Sequence, residues 1–392
     1  MKRDIIRWMY DGLRVLSKIK CVKLSFVFTI ALSTIVLCIV ASDNIFLSVF
    51  SSVDSNIIES RAIESYDTPR LWTSPVKTNQ SKVWDPASNN FTKTPNSSSD
   101  INLNKFLFLS EHVINPHDYK NLISPTVKCN DHQEIDLIIC VPTRGDNFEG
   151  RKTIRETWGS NVNESSFNLI LIFFIGIPDI SSPNASLTQK LLFQESVMYG
   201  DILQEDYLDS YNNLSLKSVS ILKYASIHCS EAKYILKADD DMYINVPYLV
   251  NILRRFQITK PKLKTFVMGS KQIKAQPMRS IDSKWYTSIS EYPEDTYPDY
   301  VIGAAYVMST QASWLLFEAS LRLPLFLWED VYITGMCSKK AGVEVIDNSL
   351  FSWIRHAVSG CSFKRRISGH PYSLAEVRVI HRELYDKNII CK

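Results

Sequence analysis

AKYILKADDDMYIN, residues 232–245, decides the fold: an apolar run of strand length ends on three consecutive aspartates. Ala232–Ala238 has the length and near-continuous hydrophobicity of a strand covered on both faces. In an open α/β sheet, ligands bind just beyond the carboxyl ends of the strands, which is where Asp239, Asp240 and Asp241 fall. Three adjacent carboxylates repel one another, and a cation relieves that cost. Residues i and i+2 of an extended segment point the same way, so Asp239 and Asp241 are expected to share a face. Hard carboxylate oxygens suit Mn²⁺, with Mg²⁺ as the alternative, and leave coordination positions for water and phosphate. A solvated acidic turn is the competing explanation, and it does not explain why three Asp sit directly against a buried strand.

Outward from this strand, the same pattern repeats. Ile135–Val141 and Asn168–Ile175 are further apolar runs of strand length, and Gly150–Trp158 between them fits a short basic helix. Leu187–Tyr199 and Asn212–Cys229 read as helices, Phe266–Gly269 and Ile302–Ser309 as strands, and a helix is expected to start near Glu329. Alternating strand and helix predict an α/β fold with a mostly parallel sheet. The chain has 12 glycines and no G-x-G-x-x-G string, which disfavours the usual dinucleotide fold.

The first hundred residues have a different character. Residues 1–23 carry seven Lys and Arg against two Asp. Leu24–Ser42 then runs 19 positions without a charge, long enough as a helix to span a hydrocarbon core of about 30 Å. The run exceeds a signal-peptide core and no A-x-A site follows it, so it predicts a signal-anchor helix with residues 1–23 cytoplasmic. Residues 43–100, rich in Ser, Asn, Thr and Pro, predict a disordered stem, and residues 101–392 a folded lumenal domain.

Sequons at Asn79, Asn90, Asn96, Asn163, Asn184 and Asn213 all lie beyond the apolar span. So do six of the eight cysteines, and no C-x-x-C pair suggests zinc, which favours an oxidising compartment. Six cysteines allow about fifteen connectivities; Cys337–Cys361 is the expected pair. With 44 basic against 41 acidic residues and no basic stripe, the chain gives no sign of a nucleic-acid partner.

From about Val113 onward the chain resembles the β-1,3-glycosyltransferase family 31, the galactosyltransferase and N-acetylglucosaminyltransferase group. The resemblance rests on RKTIRETWG at 151–159, FFIG at 173–176, DILQEDYLDSYNNLSLKS at 201–218, KADDDMYIN at 237–245, YPDYVIGAAYVMS at 297–309 and WEDVYITGMC at 328–337. It implies a GT-A-type Rossmann-like catalytic domain, a UDP-sugar donor, a glycan acceptor on glycoprotein or glycolipid, inversion at the anomeric carbon and a Golgi type II membrane protein.

By that resemblance Asp239 and Asp241 match the metal motif that holds the donor diphosphate, and His370 a C-terminal histidine that completes the site, with His356 competing. Asp330 matches the general base, and Glu329 is its neighbouring alternative. Arg151 and Arg155, four apart and so on one helix face, are expected to clamp the nucleotide. Lys237 and Asp240 are assigned to the donor side. Tyr297, Tyr300, Trp285 and Trp328 are candidates for the acceptor sugar, although aromatics more often serve packing. In DSYNNLSLK, Leu214 and Leu216 are expected in the core and Lys217 paired with an Asp; a buried Asn213 would leave its sequon unused.

The chain departs from the family at Ile302–Tyr306, where SGxGY becomes IGAAY, and carries one extra residue between Tyr332 and Cys337. The leading expectation is galactose transfer from UDP-galactose. N-acetylglucosamine transfer and a non-catalytic glycan-binding role are the alternatives. A hydrolase or nuclease built on the same aspartates is disfavoured by the near-neutral charge and the lack of further clustered His and Asp.

Overall fold

The computed structural model describes residues 83–85, 90–92, 103–127, 129, 134–159 and 167–391. Contacts divide the chain into Met1–Asn79 and Gln80–Lys392, and every described residue belongs to the second unit. The expected signal anchor at 24–42 and most of the expected stem lie outside the described residues. Among the described residues, no helix is long and apolar enough to cross a membrane.

In chain order the strands are β1 (Val83–Asp85), β2 (Asn90–Thr92), β3 (Asn121–Ile123), β4 (Leu137–Pro142), β5 (Leu169–Ile177), β6 (Ile202–Leu208), β7 (Tyr234–Ala238), β8 (Tyr243–Ile244), β9 (Phe266–Gln272), β10 (Tyr300–Ser309), β11 (Glu344–Asp347) and β12 (Ser368–Gly369). The α-helices are α1 (Phe148–Glu156), α2 (Ala185–Tyr199), α3 (Leu214–His228), α4 (Val246–Thr259), α5 (Thr310–Ser320), α6 (Ser338–Ala341) and α7 (Leu374–Tyr385). Eight strands form one sheet in the order β11-β9-β10-β7-β4-β5-β6-β3.

Period-two alternation divides the central strands between two cores. Ile138 and Cys140 of β4 and Ile170, Ile172 and Phe174 of β5 face one side, where Val219, Leu222 and Ala225 of α3 and Leu315 and Leu316 of α5 cover them. Leu137, Ile139 and Val141, with Leu169, Leu171 and Phe173, face the other, packed with Ile154 of α1, Leu249 and Leu253 of α4 and Ile380 of α7. Burial on both faces is why these strands are apolar throughout.

The sheet is mixed rather than mostly parallel. β4 is parallel to β5 and β7, β5 to β6, and β9 to β11, whereas β10 is antiparallel to both β7 and β9, and β3 to β6. The helix expected near Glu329 is a π-helical turn, Val331–Cys337, that runs into α6.

The expected Cys337–Cys361 disulfide is corrected. Cys361 bonds to Cys391 and Cys129 to Cys229, while Cys337 and Cys140 are free and buried. Cys337 is enclosed in the first core, away from any surface a partner thiol reaches; the Cys361 bond instead ties the turn Gly360–Phe363 to the chain end.

Candidate active site

The aspartate triplet follows the C-terminal end of β7, an interior strand, and β10 runs beside it. The ladder extends one residue past β7, with the Asp239 amide donating to the Ala304 carbonyl at 3.0 Å. A turn closed by Met242 N–H to the Asp239 carbonyl leads into β8. Antiparallel pairing of β8 with β12 then delivers His370, whose Nε2 lies 2.9 Å from Asp241 Oδ2. The Tyr372 amide donates to the Asp241 carbonyl and fixes this register. The Asp241 contact pushes the His370 imidazole up from its ordinary pKa against the opposing effect of burial, and the Asp241 and Asp239 charges reinforce the rise.

The three aspartates have different partners. Asp239 Oδ1 accepts from Lys237 Nζ at 2.5 Å. Burial, with Glu329 and Asp241 nearby, pushes its carboxyl up to about 6 despite the opposing Lys237 charge. Asp240 Oδ2 accepts from Thr143 Oγ1 and Asn147 Nδ2, both at 2.6 Å. Asn147 also caps α1, its Oδ1 accepting from the Gly150 amide, so one side chain joins the helix start to the acidic turn.

The Trp328–Asp330 stretch faces the triplet across β10. Glu329 is buried, with Oε1 accepting from Tyr306 OH at 2.6 Å and Oε2 3.6 Å from Lys237 Nζ. Asp330 is half-buried; its Oδ2 accepts from the Gly303 amide at 3.1 Å and its Oδ1 from the Val331 amide at 2.9 Å. Burial and the neighbouring Glu329 charge push the Asp330 carboxyl up to about 6. A Cβ at Gly303 would lie 3.0 Å from Glu329 Oε2 and 3.2 Å from Asp330 Cβ, so the missing side chain makes room for both carboxylates. Of the two acids, Asp330 is the one with access to a substrate.

Several expected site residues serve the fold instead. Arg151 and Arg155 do share a helix face, but that face points inward. Arg151 donates to both Glu195 oxygens and to the Arg144 and Gly145 carbonyls, and has no exposed side-chain surface. Arg155 binds Asp201 and Glu195 and stacks on Tyr199, 3.9 Å from the ring centroid. Both guanidiniums therefore clamp α1 to α2, not a nucleotide. Lys237 is likewise buried beneath Asp239, and the expected donor contact is corrected to an internal one.

Tyr297 is buried, its hydroxyl sharing Thr287 Oγ1 with the Trp328 indole N–H, so it packs rather than walls a sugar site. Tyr300 is half-buried, and Trp285 is exposed. His356 bonds Ser352. Lys217 pairs with Asp209 at 2.7 Å, as expected, and Leu216 is in the core. Asn213 is half-buried and spends its amide on the Leu208 carbonyl, while Asn184 is exposed. Asn79, Asn96, Asn163 and the Asn90 side chain lie outside the described residues. Thr143 and Asn147 enter the site without having been expected, and of these Asn147, a helix-cap residue, carries a sequence signal; Gly303 and Tyr306 enter it from the IGAAY segment that the sequence marks as departing from the family.

Among the described residues no group of three His, Cys, Asp or Glu side chains is placed to hold a metal ion. Asp241 and His370 nevertheless bring a carboxylate oxygen and an imidazole nitrogen together, and Asp239, two residues earlier in the same turn, accepts from Lys237 through Oδ1. A carboxylate oxygen beside an imidazole nitrogen, both partly open to solvent, is a donor pair of the kind a divalent cation takes.

The chain is also similar to known proteins. The sequence pattern of the galactosyltransferase family matches residues 149–349. Mouse beta-1,3-galactosyltransferase 1 is 34% identical over 275 residues, covering 70% of this chain and 81% of that one. Lactosylceramide 1,3-N-acetyl-beta-D-glucosaminyltransferase of Xenopus tropicalis is 30% identical over 298 residues, covering 73% and 78%. Among solved structures, a glycosyltransferase involved in glycosylation of the major capsid of PBCV-1 is similar at 14% identity and a TM-score of 0.32, over 62% of this chain and 97% of that one.

Proposed function

The chain belongs to the galactosyltransferase family, among the β-1,3-glycosyltransferases, and from that premise we propose that it transfers galactose from UDP-galactose to an acceptor glycan in β-1,3 linkage, with inversion. The observation that carries the proposal is the pairing of two sites across β10: Asp241 with His370 on one side, and the half-buried, up-shifted Asp330 carboxylate on the other. Asp239, Asp241 and His370 would hold the divalent cation, Mn²⁺ in this proposal, which when bound neutralises charge growing on the diphosphate leaving group.

The chain's own residues supply the rest. Asp330 takes the proton of the acceptor hydroxyl as its oxygen bonds to the anomeric carbon; the bond from that carbon to the diphosphate breaks, and UDP leaves with the electron pair. The Gly303 and Val331 amides hold the Asp330 oxygens in place while leaving each a lone pair for that proton. Asp240, fixed by Thr143 and Asn147, orders the acidic turn.

The enzyme acts in the Golgi lumen as a single-pass type II membrane protein, with a GT-A-type catalytic domain. Support comes from the uncharged run at 24–42 behind a basic segment, and from two disulfides, which belong to an oxidising compartment. The test is to screen the full chain for transfer from UDP-galactose, UDP-N-acetylglucosamine and UDP-N-acetylgalactosamine to a glycan panel, with Mn²⁺ or with chelator. Metal-dependent galactose transfer is the expected result. Transfer of N-acetylglucosamine alone would reassign the donor, and folded protein inert with every donor and acceptor would favour a non-catalytic glycan-binding role.

A further inference from the structure

Lys237 is a cation with almost no exposed surface, and the polar groups that its ammonium meets belong to the reaction site. Its Nζ donates to Asp239 Oδ1 and to the Gly303 carbonyl, both at 2.5 Å, and lies 3.6 Å from Glu329 Oε2. The next peptide contact of Gly303 is the other half of the site: its amide donates to Asp330 Oδ2. Tyr306, opposite Lys237 in the β7–β10 register, presents its ring 5.8 Å from the ammonium and donates its hydroxyl to Glu329. One buried charge therefore touches the metal-side aspartate directly and the base through a single glycine residue.

We infer that Lys237 is a positioning residue that sets the Asp239 carboxylate and the Gly303–Asp330 contact as one rigid unit, so that the diphosphate and the proton acceptor are held at a fixed separation. The inference rests on the transfer reaction proposed above. Lys237 contacts neither donor nor acceptor; it acts through Asp239 and Gly303. A point charge with three donors can serve a carboxylate and a carbonyl together while still facing Glu329. A planar fork cannot repeat that geometry.

The test uses the full chain as wild type, Lys237→Met and Lys237→Arg. Calorimetry measures binding of Mn²⁺ with UDP, and kinetics give kcat and KM for donor and acceptor separately. Lys237→Met is expected to weaken Mn²⁺·UDP binding and to lower kcat by about 100-fold, the scale of a misplacement near 1 Å, with acceptor KM changed little. Lys237→Arg keeps the buried charge, so it remains folded where the Met variant fails to fold, and it is expected to lose at least about tenfold in kcat with weakened Mn²⁺·UDP binding. A folded Arg variant with wild-type binding and turnover would overturn the inference, since any cation would then suffice. Wild-type protein that neither binds Mn²⁺·UDP nor transfers sugar would overturn the proposed reaction along with it. Normal transfer by the wild type, unchanged in both variants, would overturn the Lys237 inference alone.

Discussion

His370 Nε2 lies 2.9 Å from Asp241 Oδ2 because β12 pairs with β8, which places a C-terminal imidazole against the acidic turn after β7. The contact is partly solvent-accessible, so little packing depends on it. His370→Ala is therefore expected to leave the melting temperature nearly unchanged while raising the Mn²⁺ concentration for half-maximal activity at least about tenfold, since losing a ligand costs no less than losing the outer-shell partner of one. Unchanged metal dependence in a folded His370→Ala protein would remove His370 from the site.

Asp330 gives a prediction with a sign. Burial and Glu329 raise its carboxyl to about 6, and a general base works only as the carboxylate. Turnover should accordingly be flat above that value and fall by about tenfold per pH unit below it. Asp330→Asn should lower kcat by about 10²–10⁴ while donor affinity stays near wild type. A kcat profile still flat at pH 4, or a loss confined to donor binding, would reassign Asp330 to positioning.

Legibility in the sequence followed the range of the interactions. β4, β5 and β7 are readable because burial on both faces leaves a local run of apolar residues, and the acidic triplet is readable because it ends such a run. β6, ILQEDYL, hides its strand character because buried Gln204 and Glu205 interrupt the apolar pattern. Among the described residues Glu205 is met by His117, Ser220 and Lys223, all remote in sequence. Arg151 and Arg155 show the same limit from the other side. Helical spacing correctly places them on one face, but which way that face turns is decided by Glu195 and Asp201, which no local pattern connects to them. The cysteines, too, pair by tertiary placement and not by spacing.

Thiol chemistry separates the observed disulfides from the expected one. In the native full chain, Cys140 and Cys337 should resist alkylation, since both are enclosed and burial holds both thiols well above their ordinary pKa. After denaturation without reductant both should react. Peptide mapping should then recover Cys129 linked to Cys229 and Cys361 linked to Cys391. A Cys337–Cys361 peptide would refute this arrangement.

Arg151 offers the sharpest separation between folding and catalysis. Its guanidinium is fully enclosed, and Glu195 beside it is nearly so, which makes the pair costly to break from one side only. Arg151→Met leaves Glu195 with Arg155 alone and strips donors from the Arg144 and Gly145 carbonyls. Removing one partner of a buried pair costs about 3–5 kcal/mol; the retained Arg155 contact argues for the lower end. The expected outcome is a marked fall in denaturation midpoint, with donor KM and kcat per folded molecule close to wild type. A selective rise in donor KM without loss of stability would instead return Arg151 to the nucleotide site, and would mean that α1 turns its basic face outward when the donor binds.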